Sequence, residues 1–224
     1  MWSTFISRHR DNGAIVDLVL CDFSKAFDTV SHPILMQKLR FIGVGGRLLS
    51  CMQDFLLGRT MQAAVKHTLS SAKEVRSGVP QGSILGPVLL LIYINHVAVH
   101  LKSQYKIFAD DLKIYMCIIK SELDTIKFQA DLDLLHTTAL SWDLSMNLKK
   151  CAIMRFQRRS HTPHSPTYYL NGEELPWPHS HTDLGATVHN TLKFHEHARV
   201  AARKAGGVAH NFAKSVQCAE NLTS

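Results

Sequence analysis

Lys106-Ile107-Phe108-Ala109-Asp110-Asp111-Leu112-Lys113-Ile114-Tyr115 sets two adjacent carboxylates between short apolar, aromatic-bearing runs. The flanks, Gln104 to Ala109 and Leu112 to Ile118, read as strands, which puts the acid pair at the turn of a hairpin. Successive strand residues point to opposite faces, so at most one of the two acids faces a given site unless the turn re-aims the other. Two like charges side by side are costly without a cation or hydrogen-bond donors to compensate. Taken alone, the tip reads as a solvated turn. Its meaning depends on what the rest of the chain brings to it.

Just upstream, Ser77-Gly78-Val79-Pro80-Gln81-Gly82-Ser83 is rich in turn formers, and Leu85 to His100 follows as a very apolar helix that Ser83 can cap. Further back, Ile15 to Cys21 is a β-branched and leucine run ending at Asp22, the pattern of a buried strand with an acid at its C-terminal end. Ser31-His32-Pro33 opens a helix that turns Ile34, Leu35, Leu39 and Ile42 inward and stops at Gly43. A second helix runs from Arg47 to Leu57, and Thr60 to Val75 reads as a hairpin around His67-Thr68. Downstream, Glu122 to Met146 has helical spacing with Leu123, Ile126, Ala130 and Leu134 as its apolar stripe. Asn147-Leu148-Lys149-Lys150 leads into a strand from Cys151 to Phe156. The run Arg155 to Arg159 reads equally as a phosphate contact or a solvated basic turn. Asn171-Gly172 is a type I′ hairpin signal, and a short strand pair is expected around Leu184-Gly185-Ala186-Thr187-Val188.

Composition narrows the function classes. The chain of 224 residues carries a formal net charge of +7 with fourteen histidines besides, which favours an anionic partner such as nucleic acid. Its five cysteines are scattered and form no C-x-x-C pair, arguing for a reducing compartment and against a disulfide framework or zinc finger. The pairs His161/His164, His179/His181 and His195/His197 lack nearby cysteine and read as exposed histidines. No secretory h-region is visible in the first thirteen residues, and the apolar run Val88 to Ile94 is too short to span a bilayer. The expectation is an intracellular chain, in nucleus or cytoplasm, with no membrane partner.

The element order fits an α+β layer: a small antiparallel sheet with helices packed on one face. In it, the end of the Ile15 to Cys21 strand and the tip of the 104–118 hairpin can lie side by side, bringing Asp22 to Asp110 with Asp111 close by. Acidic oxygens without histidine or cysteine suit Mg²⁺ rather than Zn²⁺. Two such ions can activate an attacking hydroxyl and stabilise a leaving oxygen in phosphoryl transfer.

Four segments in order, LCDFSKAFDTVSHPIL, SGVPQGSILGP, FADDLKIY and MNLKKC, resemble the catalytic core of a reverse transcriptase from a non-LTR, LINE-type (jockey- or CR1-like) retrotransposon. A fifth, DLGATV, resembles the family's short segment between palm and thumb. The resemblance implies a polymerase palm-type sheet and RNA-directed DNA polymerase activity, with an RNA template, a DNA primer and dNTPs as partners. It implies that Asp22, Asp110 and Asp111 hold Mg²⁺, or Mn²⁺ in its place, with Asp110 a direct ligand and Asp111 its auxiliary. Lys150, with Lys149 as a neighbouring candidate, matches the lysine that protonates departing pyrophosphate. Phe23 and Phe27 fall in the substrate-binding segment. Phe27 matches the aromatic beneath the incoming sugar, whose bulk would clash with a ribose 2′-hydroxyl. Gln81 and Gly82 match the loop at the nascent base pair, and Leu184-Gly185 the primer grip.

The same resemblance implies a palm core over 1–156, a loop and small-strand region over 157–192, and a basic helical start of a thumb over 193–224. Only about twenty residues precede Asp22, so the family's basic fingers are expected to be largely absent and the chain truncated at its N-terminus. His96 stands where relatives commonly carry an acid. Two other readings follow: a catalytically inactive remnant with at most nucleic-acid binding, and a basic RNA-binding sheet whose acids form only a turn.

Overall fold

The computed structural model describes residues 2–119, 121–158, 166–192 and 198–208. Its centre is a four-stranded antiparallel sheet of β1 (Ile15–Asp22), β2 (Gln104–Phe108), β3 (Asp111–Ile118) and β4 (Ala152–Phe156), ordered β2-β3-β1-β4. β1 lies between two partners and under cover on both faces, and every residue from Val16 to Cys21 is buried. That is why its sequence, apart from Asp17, is an apolar run rather than an alternating one.

The helices α1 (Trp2–Asp11), α2 (His32–Phe41), α3 (Gly46–Leu56), α4 (Leu85–Asn95) and α5 (Ser121–Ser141) divide between the two faces of the sheet. Leu35 and Leu39 of α2, Leu56 of α3, Leu89 and Tyr93 of α4 and Phe128 of α5 pack on Val19, Cys21, Leu112, Ile114 and Ile153 to make the larger core. The other face carries Val16, Leu18, Leu20, Tyr115, Met154 and Phe156, covered by Ile6 of α1 and by Val188 from the hairpin Ser180–Asp183/Ala186–His189. The sheet is palm-type with α2–α5 on one face, and α1 covers part of the second.

Two helix faces differ from the sequence reading. Ile42 is nearly half exposed at the end of α2, where Met36 turns inward instead. In α5 the stripe Leu123, Ile126, Ala130 and Leu134 faces outward, while Phe128, Leu132, Leu135 and Ala139 are buried. Both stripes of that helix are apolar, so spacing alone could not choose between them; the sheet takes the one carrying the phenylalanine.

Asp17, in the middle of β1, is wholly buried. Arg155 of β4 grips it through two hydrogen bonds, Nε to Oδ1 and Nη2 to Oδ2, each 2.7 Å, and the Tyr168 hydroxyl donates to Oδ2 at 2.9 Å. Arg155 is therefore a core ion-pair partner and not a phosphate contact. Tyr168, Leu170 and Leu175 join the main core, so the segment after β4 folds back onto the palm. Its Asn171-Gly172 turn has both residues at positive φ, 55° and 74°, as a type I′ turn requires.

Residues 60–74 form a nested ribbon, Thr60–Met61 with Lys73–Glu74 and Ala64–Val65 with Thr68–Leu69, all exposed. Residues 198–208 are helical and largely exposed; the rest of the expected thumb, 193–197 and 209–224, lies outside the described residues, as do His161, His164, His195 and His197. Among the described residues no helix is long and apolar enough to cross a membrane.

Candidate active site

The acid hairpin closes one residue earlier than its sequence suggested. Ala109 and Asp110 form the turn, with Ala109 at φ 53°, and Asp111 is the first residue of β3. Asp111 stands directly opposite Asp22 of β1, and Phe108 opposite Asp111. In-register residues of antiparallel strands share a face. The side chains of Phe108, Asp111 and Asp22 thus line one rung at the open end of the sheet, with Asp110 beside them at the turn. Expected as the auxiliary, Asp111 is the acid brought into register with Asp22.

The segment 145–151 holds the C-terminal end of β1 from the other side. Asn147 N–H donates to the Asp22 carbonyl at 2.8 Å and Ser24 N–H to the Ser145 carbonyl at 2.8 Å, with Phe23 bridged to Met146. Lys150 N–H turns back to the Asn147 carbonyl at 2.9 Å. This turn sets Lys150 Nζ 3.2 Å from Asp22 Oδ2. Asp22, Asp111, Lys149 and Lys150 line a cavity of about 540 Å³, closed on its far side by His181 and Asp183.

Electrostatics in this cavity are strained toward neutrality. Burial is the main cause that pushes the Asp111 carboxyl up, Lys113 pulls it down, and the charges of Asp110, Asp183 and Asp22 raise it further. Burial also lowers His181, against the opposing pull of Asp183 and Asp111.

The Ser77–Ser83 loop is stitched to the segment after Asp22. Gly78 N–H donates to the Val30 carbonyl at 2.8 Å, Val79 N–H to the Phe27 carbonyl at 2.7 Å, and Ser77 Oγ to the Asp28 carbonyl at 2.9 Å. Gly78 sits at φ 83°, and a Cβ there would lie 2.7 Å from the Phe27 oxygen and 2.8 Å from Asp28 Cα. Only glycine permits this approach. His32 Nε2 and Arg59 Nη2 both donate to the Gly78 carbonyl, at 2.8 and 2.7 Å. Gln81 Nε2 donates to Asp28 Oδ1 at 3.0 Å, and both residues line a second recess of about 740 Å³ together with Lys25, Arg59 and Arg76. Gly82 is exposed at φ 80°. Phe27 is half-buried against the main core.

Phe23 departs from its expected role. At 2 % exposure its side chain belongs to the core, so it offers a substrate only backbone. The sequence reading also passed over Lys113 and Asp183, whose Nζ and Oδ1 lie 2.8 Å apart. The one available signal was a lysine inside the apolar run of β3.

This arrangement of a central acid-ended strand, an acid-tipped hairpin beside it and a glycine loop stitched to both can be set against known proteins. The reverse transcriptase (RNA-dependent DNA polymerase) family profile matches residues 7–188, from α1 to the hairpin over the cavity. The chain belongs to the reverse transcriptase family. Its relatives are those of non-LTR retrotransposons. It is 30 % identical over 187 residues to the RNA-directed DNA polymerase from mobile element jockey of Drosophila funebris, covering 79 % of this chain and 20 % of that protein. It is 26 % identical over 196 residues to the probable RNA-directed DNA polymerase from transposon X-element of Drosophila melanogaster, covering 84 % of this chain and 21 % of the relative. The chain thus spans about a fifth of the length of these curated relatives. Among solved structures, apo telomerase from Candida tropicalis superposes with a TM-score of 0.56 at 12 % identity, covering 86 % of this chain and 35 % of that one. That likeness is one of fold, and it is to a palm-type polymerase.

Proposed function

We propose that the cleft at the open end of the sheet carries out RNA-directed DNA synthesis, adding deoxynucleotides to a DNA primer paired with an RNA template. The observation that carries this reading is the rung shared by Asp22 and Asp111, with Asp110 at the adjoining turn and Lys150 above it. Family membership supports the reaction class.

The donor set suits Mg²⁺, or Mn²⁺ in its place: carboxylate oxygens alone, with Asp111 raised chiefly by burial and further by its acidic neighbours. Among the described residues no three acidic, histidine or cysteine side chains are gathered so that they could hold a metal ion by themselves. Mg²⁺ is usually held by one or two carboxylates together with substrate phosphates. Asp22 and Asp111 on the rung, with Asp110 from the turn, would hold it. When bound, the metal supplies charge neutralisation at the phosphates and a more acidic primer 3′-hydroxyl.

The chain's own residues supply the rest. Lys150 is within reach of the same carboxylate and is placed to give a proton to the departing pyrophosphate oxygen. Phe27, held by Gly78 and Val79, presents its free edge beneath the sugar and disfavours a 2′-hydroxyl. Gln81 and Gly82 flank the recess that would take the template-paired base, where Lys25 and Arg76 offer positive charge to phosphates. Its scattered cysteines, without a C-x-x-C pair, suit action in a reducing intracellular compartment, nucleus or cytoplasm.

Primer extension on poly(rA)–oligo(dT) with Mg²⁺ tests the reading. Incorporation of dTTP that disappears in Asp22→Asn and Asp110→Asn is the expected result. Salt-sensitive duplex binding with no incorporation by the wild-type chain would overturn it in favour of a catalytically inactive nucleic-acid-binding remnant.

A further inference from the structure

One rung below the acids, the cleft-side face of the sheet holds a charge where its neighbours are apolar. Leu20 of β1 pairs with Lys113 of β3 on one side and Ala152 of β4 on the other, and the next rung is Leu18 with Tyr115 and Met154. Lys113 is nonetheless almost sealed from solvent, its side chain 4 % exposed. Its ion-pair partner Asp183, 10 % exposed, comes from the Ser180–Asp183/Ala186–His189 hairpin that lies over this face.

A buried ion pair of this kind seldom stabilises more than well-packed apolar side chains of the same volume would. A leucine or methionine at 113 would continue the surface made by Leu18, Leu20 and Met154. The charges therefore need a use other than stability. Their positions supply one. Asp183 is the last residue of its strand, and the two residues after it, Leu184 and Gly185, make a tight turn with φ of 47° and 80° at the rim of the cleft. A hairpin of two four-residue strands is marginal alone. Val188 anchors its far strand in the apolar cluster with Ile6 and Phe156. At the cleft end, the 2.8 Å pair joins the hairpin to the sheet.

We infer that Lys113 and Asp183 form a latch that fixes the Leu184–Gly185 turn at a set distance from Asp22 and Asp111, and so positions the recessed 3′ end of a nucleic-acid strand against those carboxylates. The part of this inference that concerns the strand end rests on the function proposed above. Both are positioning residues: they act through the turn and touch no reacting atom. Because Lys113 sits two residues from Asp111 on the same strand face, the pair ties the element that carries the acids to the element that meets the strand end.

The test compares the wild-type chain with Lys113→Arg, Lys113→Met and the double variant Lys113→Met/Asp183→Leu, which removes both charges and leaves no unpaired one. Amide hydrogen exchange over 184–189 reads the latch. Fluorescence anisotropy with Ca²⁺ reads position, as the ratio of affinities for a recessed 3′-end duplex and for single-stranded RNA of equal length. The double variant should keep a wild-type melting curve, lose protection over 184–189, and lower the affinity ratio about fivefold or more. Lys113→Arg should restore both. A purely structural pair would leave the ratio unchanged in the folded double variant, and that result overturns the positioning role. Wild-type protection in the double variant overturns the latch outright. If the wild-type chain itself shows no preference for a recessed end, the proposed function fails, and exchange over 184–189 still decides the latch.

Discussion

Lys150 Nζ lies 3.2 Å from Oδ2 and 3.3 Å from Oδ1 of Asp22, astride the carboxylate that a divalent cation would use. Without a metal the lysine is the cation on that acid. The two roles proposed for Lys150 are then coupled: a metal on Asp22 displaces the ammonium and leaves it free to serve as a proton donor. The lysine side chain is 64 % exposed, so the pair is weak and the competition modest. Lys150→Gln should bind Mn²⁺ roughly two- to fivefold more tightly in an EPR titration. It should at the same time slow any nucleotide incorporation. Weaker Mn²⁺ binding in the variant would mean that Lys150 supports the metal site instead of competing with it.

Asp111 should leave a signature in the pH dependence of stability. Burial, with Asp110, Asp183 and Asp22 adding to it, raises its carboxyl above the ordinary range, against the opposing pull of Lys113. A raised acid holds its proton more tightly in the folded chain than in the unfolded one. The stability this gives is present below the unfolded value and is lost as pH rises through the folded value. At neutral pH the ionised group is a net cost. Asp111→Asn should therefore melt higher at pH 7, by roughly 1–3 °C, with the gap closing toward about pH 4. Saturating Mn²⁺ should raise the wild type more than the variant. A variant that melts lower than wild type at pH 7 would contradict this account.

These two effects mark how far the sequence could be read. Asp22, Asp110, Asp111 and Lys150 stand out because their chemistry is local: an acid ending an apolar run, an acid pair at a turn, a lysine after a turn. What register does to them is not local. A shift of one residue at Ala109 decides which acid meets Asp22, and no pattern in FADD states it. Phe23 and Phe27 look alike in sequence, yet one is sealed in the core and the other is only half-buried. Asp17 is more than a hundred residues from Arg155 and Tyr168 in the chain, so their network exists only once β1 and β4 pair. The burial of α5 went unread for a different reason: two apolar stripes compete, and only the sheet chooses.

Gly78 offers a direct measure of how tightly the glycine loop is fastened to the segment after Asp22. Alanine there would drive a methyl to within 2.7 Å of the Phe27 oxygen at a φ of 83° that L side chains rarely adopt. Strain and overpacking add, and Gly78→Ala should cost roughly 2–4 kcal/mol in urea unfolding. Because the displaced atoms belong to Phe27 and Asp28, discrimination between dTTP and UTP should also fall in any active preparation. Gly82→Ala is the matched control: it shares the positive φ, but nothing lies within 4 Å of its added methyl. Equal losses in the two variants would show that backbone conformation, not the approach to Phe27, sets the requirement for glycine.

The Asp17–Arg155–Tyr168 network allows a sharper separation of fold from function, since Asp17 sits in the middle of β1, on the face opposite Asp22 and Asp111. Asp17 is fully buried and takes three donated hydrogen bonds. Asp17→Ala strands the Arg155 guanidinium in the core and should cost about 3–5 kcal/mol. Tyr168→Phe removes one hydrogen bond to a charge that keeps two others, and should cost about 1 kcal/mol. A triple variant, Asp17→Leu/Arg155→Met/Tyr168→Phe, removes all three polar groups together and should recover most of the loss, because a neutral, well-filled core needs none of them. Chemical denaturation of the three proteins checks the order. If the triple variant is no more stable than Asp17→Ala, the network is stabilising in its own right, and its charges hold β1 to β4 more strongly than apolar packing could.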